Sequence, residues 1–88
     1  VTGAVLTPQV IRHVLFHFGV PGGVEPGGFV TALLVLLAKA DYSNRSALAG
    51  LWPEYVAAFE VATTREWGLD YLRALADAHD DDEAVAGV

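Results

Sequence analysis

The sequence predicts an all-α protein: one domain over residues 1–79, built as a compact bundle of four to five short helices around a central apolar helix at about 26–40. Three observations lead there. Apolar residues recur at helical spacing, and nowhere do they alternate as in a half-buried strand. Pro8, Pro26 and Pro53 each stand just ahead of such a run, where a missing N–H costs nothing. Finally, 53% of the 88 residues are hydrophobic, far more than a disordered chain carries.

The first helix follows Thr7-Pro8, with Thr7 as cap, runs as PQVIRHVLFHF and stops at Gly19. VPGGVEPGG is then a linker with a turn. It lacks the Lys and Ser/Thr of a phosphate loop and the strand and spacing of a dinucleotide loop, and Glu25 would repel an anion there. The second helix, from about Pro26 to Ala40, carries Phe29, Val30, Leu33, Leu34, Leu36 and Leu37 over ~160° of its girth, wider than an ordinary surface helix. Such a helix is either the centre of the bundle, which is the reading preferred from the sequence, or partly left for a second chain.

Asp41-Tyr42-Ser43-Asn44 is a break, after which Ser43 or Asn44 starts a short helix ending near Gly50. Pro53 opens the next, with Leu51 and Val56 spaced as a hydrophobic staple. Between Pro53 and His79 the apolar face rotates away from Tyr55, Val56 and Phe59 towards Trp67, Tyr71, Leu72 and Leu75. That rotation predicts a kink or a fresh start near residues 63–66, where Thr63 and Glu66 fit a capping box, and Gly68 adds local softness. Residues 80–88, DDDEAVAGV, read as a frayed acidic tail.

The net charge of −6, with one lysine and four arginines, opposes binding to phosphate backbones and anionic membranes. The absence of cysteine removes disulfides, thiolate zinc sites and a thiol nucleophile. The longest apolar run is about half the ~20 residues of a membrane span. With no secretory signal pattern, the expected address is cytoplasmic. No cofactor is expected.

His13 and His17 stand four apart on one helical face, as zinc ligands do; the third ligand would have to come from His79 or a distant carboxylate. Two amphipathic residues at a helix boundary is the plainer account. Ser43 and Ser46 lack the sharp glycine-flanked turn of a hydrolase nucleophile and serve better at a helix start. Glu66, Asp70, Arg73 and Asp77 form a solvated face with pairs Asp70–Arg73 and Arg73–Asp77. No catalytic residue is assigned, and the chain is not expected to be an enzyme. The segment 38–50 threads as helix, turn, helix with Asn44 and Arg45 in front, which raises a DNA-binding alternative. Its turn lacks glycine and its cations are few.

The aromatics Trp52, Tyr55, Phe59, Trp67 and Tyr71 crowd one third of the chain. They fill a core or anchor a protein interface, and in so small a fold some must reach the surface. The function expected is therefore protein–protein interaction, with another protein or in a homo-oligomer, and these five as contact residues. Pro26-Gly-Gly-Phe29, Ala40-Asp41, Arg45-x-x-Leu48-Ala-Gly50 and Trp52-Pro-Glu-Tyr-Val-Ala-Ala58 resemble a group of small uncharacterised all-helical proteins from actinobacterial phages. The resemblance covers somewhat under half the chain and carries no activity with it. It implies a host factor or a phage component as partner and the bacterial host's cytoplasm as setting.

Overall fold

The computed structural model describes residues 6–86, with side chains described through Ala78. Five helices follow one another: α1 (Pro8–His17), α2 (Gly28–Lys39), α3 (Tyr42–Leu51), α4 (Pro53–Thr64) and α5 (Gly68–Ala86). No strand occurs among the described residues.

Local chemistry sets the boundaries. The Thr7 hydroxyl accepts from the Val10 N–H at 3.5 Å, Pro8 occupies the first turn, and Gly19 at φ 70° follows the end of α1. α2 begins two residues later than expected, with Gly27 as cap and Pro26 outside the helix. At α3, Asp41 rather than Ser43 or Asn44 is the cap; its carboxylate accepts from the Asn44 N–H at 2.8 Å, so the helix starts earlier and runs past Gly50. A short polar side chain that reaches the third residue's N–H wins the cap position. Leu51 does not staple onto Val56: it is exposed while Val56 is buried.

The 53–79 segment is two helices. α4 ends at Thr64, and α5 starts at Gly68 after three linking residues. The expected capping box is not formed. Thr63 lies in the last turn of α4, and its hydroxyl donates to the Phe59 carbonyl at 3.0 Å. Gly68 is buried against the α4 backbone, where an added Cβ would collide with the Val61 carbonyl. Its role is close packing, not softness. The boundary expected after residue 79 falls inside α5, whose backbone stays helical to Ala86; the acidic side chains of 80–83 lie outside the described residues.

The expected central helix is not α2. Half of α1 is buried, and it packs against α5, α4 and α2, whereas α2 buries only Leu33, Leu34 and Leu37, chiefly on α1 and α4. Total hydrophobicity measures what a helix could bury, but connections decide where it lies. Only Ala40 and Asp41 join α2 to α3, and only Trp52 joins α3 to α4. These links hold α3 on α4 and leave the outer side of α2 uncovered. The core is Val10, Ile11, Val14 and Leu15 of α1, the three α2 leucines, Val56, Ala58 and Phe59 of α4, and Leu72 and Ala76 of α5.

The glycine linker lies against α1. The Val24 N–H donates to the Arg12 carbonyl at 3.0 Å, the Arg12 guanidinium donates to the Gly22 carbonyl at 2.7 Å, and a Cβ on Gly23 would strike the Phe16 backbone. The same guanidinium donates to Asp77 of α5 at 3.2 Å. Asp77 thus pairs with an arginine of another helix.

Candidate functional site

α2 presents the largest departure from an ordinary soluble surface. Its outward half carries Phe29, Thr31, Ala32, Val35, Leu36, Ala38 and Lys39, all exposed. Phe29 is 62% exposed, Leu36 49% and Val35 43%, and the only charge is Lys39 in the last turn. Phe29 and Leu36 are the edge of an apolar arc of ~160°, wider than the stripe an ordinary surface helix buries, and stay uncovered. Phe29 leans on Trp52 at the α3–α4 corner with ring centroids 5.4 Å apart, which continues the apolar surface towards exposed Leu51. On the other flank, Leu36, Lys39, Ala40, Asn44, Ala47 and Leu48 line an open groove of about 250 Å³ between α2 and α3.

The five aromatics expected as contacts are divided. Phe59 is 2% exposed and belongs to the core, where it meets Phe18 and His17. Tyr55 is half-buried, with its hydroxyl 2.8 Å from His13 Nδ1. Burial raises the Tyr55 pKa, with Glu54 adding to the effect. Trp52 is half-buried under Phe29. Trp67 and Tyr71 are exposed and meet edge to face at 5.6 Å, with Arg65 over the Trp67 ring at 5.8 Å. Sequence reasoning missed Phe29 and Leu36 as surface residues because it assigned α2 to the centre, and the width of the apolar arc was the available signal; Val35 lies outside that arc.

The two histidines have different neighbours. His13 is buried, stacks parallel to Tyr55 and has its pKa lowered by desolvation, while His17 sits among the Phe18 and Phe59 rings. Among the described residues no group of three metal-ligating side chains comes together, and the side chain of His79 lies outside them. Ser43 and Ser46 are exposed on α3. Arg45, the cation expected to lead a recognition helix, turns inward: it donates to the Ala40 carbonyl at 3.3 Å and stands 3.9 Å from Glu60. No described helix is long and apolar enough to cross a membrane. Compared with protein-family models, curated proteins and solved structures, the chain matches none.

Proposed function

We propose that this chain is a small non-enzymatic protein that acts by binding another protein, with the outward face of α2 and the adjoining Phe29–Trp52 corner as its contact surface. The observation that carries the reading is the exposure of Phe29, Val35 and Leu36 on one helix face whose single charge is Lys39. Fully covering side chains of this kind is worth roughly 1.5–3 kcal/mol each, more than most polar surface contacts supply. Trp67 and Tyr71, with the acidic residues beside them on α5, offer a second and more polar contact. The resemblance to phage proteins points to a host factor or a phage component as partner and to a cytoplasmic setting, and the apolar excess of so short a chain admits self-association as well.

The alternatives draw less support. Arg45 is engaged by Ala40 and Glu60, which leaves the 38–50 segment few cations for a phosphate backbone, and His13 is bound to Tyr55. The test is a photo-crosslinker placed at Leu36 in expressing cells. A specific protein adduct that disappears with Val35→Glu supports the reading. No adduct, together with a monomer in solution, overturns it.

A further inference from the structure

Beside the outward face of α2 lies a concave feature of different chemistry, the groove between α2 and α3. The two helices meet at Ala40 and Asp41 and pack chiefly on other helices, so they part from that corner and leave about 250 Å³ between them. Leu36, Ala40, Ala47 and Leu48 make the apolar walls, and Lys39 and Asn44 are the polar side chains of the lining. Lys39 follows Leu36 by one turn of α2, and Asn44 precedes Leu48 by one turn of α3. The two polar residues therefore share the corner end of the groove and the two leucines its far end.

Neither polar group is used by the fold. Among the described residues, the Lys39 ammonium and the Asn44 side-chain amide have no hydrogen-bond or ion-pair partner, although the chain holds 11 acidic residues against five Lys and Arg. Asp41, the nearest carboxylate in sequence, is committed to the α3 cap, where it accepts from the Asn44 backbone N–H, and it does not line the groove. An ammonium and an amide N–H at one end of four apolar walls are complementary to an amphipathic anion: the donors hold a carboxylate, and the walls take a hydrocarbon tail. The volume sets the tail's length. At about 30 Å³ for each water-sized group, the groove holds about eight such groups, short of the ~300–1,000 Å³ that a drug-sized ligand fills. We infer that the α2–α3 groove binds a medium-chain aliphatic carboxylate, its head on Lys39 and Asn44 and its tail along Leu36, Ala47 and Leu48.

Titration of the whole chain with octanoate, followed by methyl NMR, is the test. The methyl signals of Leu36, Ala47 and Leu48 should shift together with a dissociation constant of about 1 mM or below. Octan-1-ol, which has the tail without the charge, should bind about fivefold or more weakly, and Lys39→Gln should weaken octanoate by a similar factor while Lys39→Arg retains it. Ala47 is exposed, so Ala47→Phe fills the groove from the solvent side and should abolish the shifts with unchanged helicity by circular dichroism. Val35 lies outside the groove lining, and Val35→Ser should bind octanoate as the wild type does. No shift up to about 10 mM octanoate, equal affinity for octanol, or an affinity unmoved by Lys39→Gln overturns the inference. Loss of binding in Val35→Ser would place the ligand on the outward face of α2 and overturns it as well. None of these readouts depends on whether a protein is captured at Leu36 in cells, so failure of the groove and failure of the protein-binding reading are distinguishable.

Discussion

The Nδ1 atom of His13 on α1 lies 2.8 Å from the hydroxyl of Tyr55 on α4, and the two rings are parallel within 1°. The contact ties the central helix to α4 through a polar bond within a largely apolar interface. With the neutral ring's proton on Nε2, Nδ1 accepts from the hydroxyl. Protonation makes Nδ1 a donor, reverses the bond and places a charge where water is scarce.

Acidification should therefore destabilise the fold. Burial lowers the pKa of His13 from its ordinary 6.5, so below that value the unfolded chain takes up a proton that the folded chain resists. The His13 contribution is fully present above pH 6.5 and is lost as pH falls towards the lower folded-state pKa. Urea midpoints at pH 7.5 and pH 5.5 should differ, and His13→Gln should flatten that part of the difference. An unchanged slope in the variant would remove His13 as the cause.

Removing the hydroxyl with Tyr55→Phe keeps the ring and orphans a buried nitrogen. The expected loss is about 1–3 kcal/mol in denaturant unfolding at pH 7.5. It should shrink in a His13→Phe background, where no nitrogen is left unpaired. Additive losses would mean the two residues act independently.

Two glycine-to-alanine changes should have opposite signs. At Gly50, inside α3, an added methyl meets open space, and the gain should be about 0.5–1 kcal/mol. At Gly68 the methyl collides with the Val61 carbonyl, and unfolding or a loss above ~2 kcal/mol is expected. Thermal melts of both variants decide the point.

Neighbouring leucines on α2 should behave as members of different surfaces. Leu37 is fully buried, and Leu37→Ala should cost about 2–5 kcal/mol. Leu36 is half exposed, and Leu36→Ala should cost well under that in stability while weakening association. Equal losses of stability would place Leu36 in the core instead.

Much of the secondary structure was legible because caps and prolines act locally. Thr7-Pro8 and Pro53 mark helix starts without reference to the rest of the chain, and the rotation of the apolar face located the break between α4 and α5. The break's mechanism was not legible. Thr63 had two uses for its hydroxyl, and the preceding turn's carbonyl took it. The placement of α2 was misread for a tertiary reason: short links on either side of α3 draw the chain away before α2 can be wrapped. Within the candidate site, the excess of apolar side chain was readable from the width of the arc on α2. Which residues bear it was not, since Phe59 and Phe29 are both phenylalanines on helices and only the packing of neighbours makes one buried and the other bare.

The contact of Gly68 with the backbone of α4 has a bearing on ancestry. Two helices touching main chain to main chain leave no room for a side chain, so a divergent chain that keeps this corner keeps a glycine there while its leucines and valines interchange freely. The same holds where Gly23 meets Phe16. A glycine at each of these two points, set at the right interval from a Thr-Pro start, is a sparse fingerprint by which distant kin could be recognised after overall identity has faded.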